Sequence, residues 1–568
     1  MRLPRKPILL LIVLVGILFV WVYWNRPTKV DMAIYVPADC LAYIESNDLT
    51  QIASGIDGTE AWKSLAAPLG ASSSLLPNRW LIRLARWTGI GSANAVLAAR
   101  SQVALVFNNA QATESDTTLT IKPLAALIIE THTSQRRMRL PIQNLAQEFA
   151  RNAYGEITFT QKQTDGVEIN EWSALDGTRH LVVAFVDTLA IIGNDETLVT
   201  KCVDVHRGRQ AALAGERQLE KLRSQASASP ATLFGFIPKR GVKPILQTWW
   251  LKHENQSDRA TAVAEVFSST IGNLIDGFGW SVRFDQGGTE DRCFISLSDG
   301  VADKLRNSIV PDTSRQILDL SFVPPDSDSV SVYEFRDLEG AWRDLNALIS
   351  SHADVLGAVA SRPLLRSILK PYGIEDADIF ARSAGPHFQT IRLQDRAAVL
   401  VAEAYDPPTL RKLVQQRLGA DAKTETSGDT EILLSITDNW SASFPGNYLL
   451  IGPSESVRHS IQTKQQSQSI SSVNSFQRAQ AFVDVSLPIT SVTFSSDREA
   501  AISFVELFSH RERSVFSTNA AAIQQASNSL PYAVSVTILR ADGFEWTSRS
   551  SFGLLGSLFT TFAPGKSS

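Results

Sequence analysis

Residues Ile8–Trp24 (ILLLIVLVGILFVWVYW) carry no charge, and no other stretch of the chain restricts its folding as strongly. As a helix the run reaches roughly 26 Å, within the length range of a membrane-spanning segment. Trp21, Tyr23 and Trp24 crowd its far end, where amphipathic rings favour a membrane–water boundary. Arg2, Arg5 and Lys6 precede the run, and Arg26 and Lys29 follow it. With the terminal amine, that balance favours a cytoplasmic N-terminus and an exported body. A cleaved signal peptide needs small residues before the cut, and bulky Val20–Trp24 offers none. Cys40, in Pro37-Ala38-Asp39-Cys40, lies too far from the run for a lipid-modified cysteine. The expected layout is a cytoplasmic tail (1–7), a single transmembrane anchor (8–24), a tether (25–34) and a body in the periplasm or other extracytoplasmic space.

The body repeats itself. Tyr35-Val36-Pro37-Ala38-Asp39 followed by Leu41–Leu49 has a counterpart in Phe322-Val323-Pro324-Pro325-Asp326 followed by Val330–Leu338. Both read as an aromatic residue, V-P-x-D, a β-rich run and E-x-x-D-L. Further matches fall in the same order: Trp62–Gly70 with Leu365–Gly373, Leu124–Gln147 with Arg396–Gly419, Ala190–Glu196 with Leu449–Glu455, and Gly279–Asp285 with Tyr532–Ile538. Collinear matches point to a tandem duplication. The expected halves are 35–315 and 316–568, with the seam near Val310–Leu320.

Within each half, short alternating strands are separated by turns such as Thr164-Asp165-Gly166, and helices fall between groups of strands (Arg136–Asn152, Pro408–Leu418). That pattern predicts an α+β fold: two related halves with mostly antiparallel sheets and packed helices, behind an N-terminal transmembrane helix. The polar tracts Gln111–Thr120, Ser224–Ser229 and Thr463–Ser475 read as surface loops. Hydrophobic content of 44% and charged content of 20% suffice for real cores. A net charge of −4 argues against a nucleic-acid partner. Cys40, Cys202 and Cys293 are odd in number and widely spaced; they make no disulfide framework or zinc spacing and read as buried small residues.

The clearest local signal is Pro77–Gly89. Arg79, Arg83 and Arg86 fall on one narrow helical face, beside a stripe of Trp80, Leu84 and Trp87. Such a helix near an anchor is a candidate for membrane contact, although a core-facing helix with solvated arginines has the same pattern. Glu45 and Asp48, with counterparts Glu334 and Asp337, would suit acid–base or metal work if burial brought them together, whereas an Asp at a strand exit also serves as a helix cap. The eight histidines are scattered with no H-E-x-x-H. Ser367-Ile368-Leu369-Lys370 fits S-x-x-K as one match in a Ser-rich chain. Gly565-Lys566-Ser567 lacks the upstream glycine of a phosphate loop, and Gly89-Ile90-Gly91 lacks the third glycine of a dinucleotide fingerprint. Phe552–Phe562 is apolar but too short to span; it reads as a terminal strand or helix docked on the second half, or as a membrane- or partner-contacting segment. No catalytic, cofactor or metal residues are assigned.

The anchor, the V-P-A-D opening (Val36–Asp39) with its L-A-Y-I-E strand (Leu41–Glu45), and A-W-K-S-L (Ala61–Leu65) resemble bacterial membrane-anchored extracytoplasmic proteins of an uncharacterised domain-of-unknown-function type. The resemblance covers Tyr35–Gly70. It implies the topology and no activity. The expectation is a non-enzymatic envelope protein that binds a partner protein, lipid or apolar ligand; an extracytoplasmic hydrolase with an unrecognised site is the alternative.

Overall fold

The computed structural model describes residues 29–71, 101–115, 118–228, 230–253, 268–285, 287–311, 319–352, 369–393, 398–507 and 520–562. The apolar run Ile8–Trp24 and the helix bearing Arg79, Trp80, Arg83, Leu84, Arg86 and Trp87 lie outside them, as does Ser367. Among the described residues no helix is long and apolar enough to cross a membrane.

Turn chemistry fixes the strand pairs. Between the strands Ile157–Thr164 and Val167–Ala174, Asp165 (φ 51°) and Gly166 (φ 75°) both take left-handed backbone, as a tight two-residue hairpin requires. The first ten strands are β1 (Ala42–Ser46), β2 (Gln102–Ser115), β3 (Thr118–Glu130), β4 (Ile157–Thr164), β5 (Val167–Ala174), β6 (His180–Val186), β7 (Leu189–Gly193), β8 (Leu233–Pro238), β9 (Ile275–Asp285) and β10 (Gly288–Leu297). The second ten are β11 (Ser329–Glu334), β12 (Ala384–Arg392), β13 (Val399–Ala404), β14 (Lys423–Ser427), β15 (Thr430–Leu434), β16 (Trp440–Ser443), β17 (Tyr448–Pro453), β18 (Ile489–Ser495), β19 (Ala533–Leu539) and β20 (Gly543–Ser550).

Hydrogen-bonded neighbours run β4-β5-β6-β7-β3-β2-β1-β8-β9-β10 in the first set. In the second they run β14-β15-β16-β17-β13-β12-β11-β18-β19-β20, the same order strand for strand. β10 and β20 then pair with each other, from Thr289 opposite Ser550 to Ser296 opposite Gly543. The result is one sheet of twenty strands, every described pairing antiparallel, in place of the separate sheets expected. The physical reason is the edge: an unpaired last strand would leave its N–H and C=O groups open, and each set satisfies the other's. Since like strands meet antiparallel, an approximate two-fold axis passes through the seam at the opposed pair Cys293/Trp546.

Away from the exposed rim strands β4 and β14, helices cover both faces of the sheet around β6 and β13. In β6, Leu181, Val183 and Phe185 meet Met138, Ile142, Ala146 and Ala150, spaced four apart on the helix Gln135–Tyr154. The alternate residues Val182, Ala184 and Val186 pack with Leu198, Val199, Cys202 and Val203 of the helix Glu196–His206. The second set repeats the layers. Leu400 and Ala402 of β13 meet the helix Pro407–Leu418, while Val399 and Val401 pack with Val457 and Ile461 of the helix Ser454–Gln466.

Across the axis the helices interleave. Trp62 and Leu65, from the helix Glu60–Leu65, pack with Phe504 and Val505 of the helix Arg498–Leu507, Leu530 and Phe552. Reciprocally, Leu348 and Ile349 of the helix Leu338–His352 pack with Val301 and Leu305 of the helix Val301–Ile309. Phe552–Phe562 docks on the second half as expected, the Phe552 ring 4.2 Å from that of Phe504, and it reaches the first half as well. Its helix Gly553–Phe562 buries Leu555 against Trp280, Val282 and Cys293 of the first half. The polar tracts are also corrected. Gln111–Ser115 and Thr118–Thr120 are paired strand, and much of Thr463–Ser475 is helical, because main-chain hydrogen bonding forms either element from polar residues as from apolar ones.

Candidate functional site

Three polar centres are built into the described body. The first grows from β1, where Tyr43 and Glu45 share the inward parity. Tyr43 donates its hydroxyl to Glu45 Oε2 at 2.7 Å. Arg223, on the helix Arg217–Gln225, donates Nη2 to Glu45 Oε1 (3.0 Å) and Asp31 Oδ1 (2.7 Å), and Nη1 to Asp31 Oδ2 (3.1 Å) and Glu220 Oε1 (2.9 Å). Burial pushes the Glu45 carboxyl up, against the pull of Arg223 and Tyr43. Burial also opposes the charge on Asp31, but its hydrogen bonds from Arg223 hold it below the usual carboxylate range. This centre ties the start of the body to a core helix.

Asp48 does not join Glu45 in an acid pair. Its Oδ1 accepts the Thr50 N–H at 2.8 Å and caps the helix Leu49–Gly58. In the second half Asp337 Oδ1 accepts the Gly340 N–H at 3.0 Å, while Glu334 is buried with His387 Nδ1 at 3.9 Å. In both halves the two carboxylates have separate tasks.

The second centre holds the main chain at Val30. Gln102 accepts from Val30 N and donates to Val30 O, both at 2.8 Å, and donates to Asn47 Oδ1 at 2.7 Å. Beside it, buried Glu130 accepts the Thr188 hydroxyl (2.9 Å), the Tyr35 hydroxyl (3.2 Å) and the His132 N–H (2.8 Å). Every oxygen of that carboxylate is engaged, so this knot is structural.

The third centre is the candidate site, a cleft of about 200 Å³ at the junction of the halves, lined by Asp291, Asp497, Trp546, Ser548, Ser551 and Phe552 among others. Asp291 sits on β10 at the buried parity of Thr289 and Cys293. It accepts the Trp280 indole N–H at 2.9 Å and the Leu554 N–H at 3.1 Å. Gly553 (φ 60°) lets the chain come this close, since a Cβ there would overlap the Asp291 carboxylate. Asp497 Oδ2 accepts the Ser551 N–H at 2.7 Å, and its Oδ1 accepts no hydrogen bond by distance and angle. Burial raises both carboxyls, Asp291 to about 6. Asp291 stands as far before Gly300 as Phe544 stands before Gly553, and both glycines take positive φ beside the helix that follows. The same fold therefore fills one corner with aromatic carbon and the other with a carboxylate. Chemically, the cleft offers a proton donor near pH 6, an acceptor oxygen and serine hydroxyls. Among the described residues no group of three or more His, Cys, Asp or Glu could hold a metal ion. Neither Asp291 nor Asp497 stood out in the sequence: Asp291 sits in the polar run Thr289–Arg292 of β10, and Asp497 stands just before the helix Arg498–Leu507, where an Asp reads as an ordinary cap.

Asp291 sets a pH dependence. Its carboxyl binds a proton more readily in the folded chain than in the unfolded one. The stabilisation is therefore fully present below about pH 3.8 and is lost as pH rises through about 6. The loss amounts to about 3 kcal/mol across that window. Urea unfolding of the parent and of Asp291→Asn between pH 4 and 7.5 checks this: the gap between them should change with pH, and a constant gap would refute the assignment.

Comparisons with protein families, curated proteins and solved structures find no match to this chain.

Proposed function

We propose that the chain is a single-pass protein of the inner (cytoplasmic) membrane, with residues 1–7 in the cytoplasm, residues 8–24 in the bilayer and the body outside the cytoplasm. We infer further that the body arose by tandem duplication and is a binding platform for a partner protein of the envelope, not an enzyme. The shared strand order of β1–β10 and β11–β20 supports the duplication. The observation that carries the platform reading is that both sheet faces around β6 and β13 are occupied by packed side chains. Among the described residues, the clefts that those clusters leave at the surface hold about 200–380 Å³, at or below the low end of the range for a small-molecule pocket. Lipid extraction of the purified full chain followed by mass spectrometry should find no stoichiometric lipid; one lipid per chain would refute the platform and favour a carrier. Protease added to spheroplasts should digest the body, and protection of the body would refute the topology.

One observation favours a second reading. Asp497 Oδ1, without a hydrogen bond in a cleft that also holds the raised Asp291, supports an extracytoplasmic hydrolase with Asp291 as acid and Asp497 as base. Turnover of ester, peptide or glycan substrates that disappears in Asp497→Asn would establish it.

A further inference from the structure

The three cysteines are buried thiols, and the fold places them unequally. Cys293 lies on β10 in a cluster with Trp280, Val282 and Leu555. Cys40 and Cys202 both belong to the core of the first half and are fully covered. The segment that carries Cys40 runs alongside the helix Glu196–His206, and two contacts fix its register. The Tyr35 ring stands 5.6 Å from the His206 ring, and Lys201 Nζ donates to Asp39 Oδ2 at 2.9 Å. Moving from Tyr35 to Asp39 thus descends the helix from His206 to Lys201, so the next residue, Cys40, comes opposite the turn that bears Cys202. Consistent with that, after burial itself the charge on Cys40 is the strongest influence on the Cys202 thiol.

From this juxtaposition we propose that Cys40 and Cys202 are a disulfide site, with Cys293 excluded from it. The step is thiol–disulfide exchange with a small-molecule or protein disulfide. A thiolate of one cysteine attacks the oxidant's disulfide and releases one thiol. The second cysteine then attacks the mixed disulfide, closing the Cys40–Cys202 bond and releasing the other thiol. The pair gives up two electrons and two protons, and the oxidant is reduced to two thiols. Burial pushes both thiols up to about 12, so in the closed fold neither ionises readily. The bond accordingly forms while the chain folds, and resists reduction afterwards.

The test refolds the full chain in detergent with mixed reduced and oxidised glutathione, followed by alkylation under denaturing conditions and peptide mapping. The expected result is one alkylated cysteine, Cys293, and a linked peptide pair containing Cys40 and Cys202, unchanged in Cys293→Ser. Three alkylated cysteines, or any linkage through Cys293, would overturn the proposal. Formation of the bond in the cell rests on the exported topology proposed above. Protein trapped with alkylating agent from its own membranes separates the two: the link made in vitro but absent in the cell leaves the pairing intact and counts against export.

Discussion

Trp62→Ala should cost about 3–5 kcal/mol and loosen the second half of the chain as much as the first. The magnitude is that of deleting a large aromatic from a packed core, and Trp62 has no exposed surface. The location of the damage is the more telling part. Trp62 lies on a first-half helix, but its cluster includes Ala501, Phe504, Val505, Leu530 and Phe552. Hydrogen exchange should therefore show faster amides in Arg498–Leu507 and Ala520–Asn528 as well as in Glu60–Leu65. Deprotection confined to Glu60–Leu65, or a loss below about 1 kcal/mol, would mean that the halves are not mechanically coupled there.

The next largest effect is expected at Arg223. Removing one member of a buried ion cluster strands the others, at about 3 kcal/mol for groups this well covered; the Glu45 and Arg223 side chains are 9% and 17% exposed. Arg223→Ala leaves Glu45 beside Tyr43 with no cation. Its carboxyl, already raised by burial, should rise further, so the variant's deficit should shrink as pH falls and Glu45 takes up a proton. Arg223→Lys keeps the charge but loses the fork that holds Asp31 by two hydrogen bonds, and should fall between parent and alanine. Chemical denaturation of the three proteins at pH 5 and pH 8 decides it. A deficit that does not respond to pH would remove Glu45 from the explanation.

The sequence made the local features legible. Asp165-Gly166 announces a tight hairpin, and the capping roles of Asp48 and Asp337 follow from their place at strand exits. Its collinear matches, such as Ala190–Glu196 with Leu449–Glu455, fall on strands that occupy the same place in the two ten-strand orders. What stayed hidden depends on partners far along the chain. Nothing near Asp291 foretells Leu554, and nothing near Asp31 foretells Arg223. The pairing of β10 with β20 was equally invisible, because a strand's own alternation does not name its neighbour. Polar tracts misled for a related reason. Gln111–Ser115 is held by backbone bonds to Thr118–Lys122, and composition alone does not register them.

The way β10 meets β20 also limits what the architecture can become. Corresponding edges facing each other antiparallel make a contact of the isologous kind, as found in a dimer with rotational symmetry, and such a contact is used up once formed. A third ten-strand module would find no open copy of that edge, only the outer rims at β4 and β14. The two ten-strand sets meet as the subunits of a two-fold dimer would, and growth by repeating the same joint ends at two.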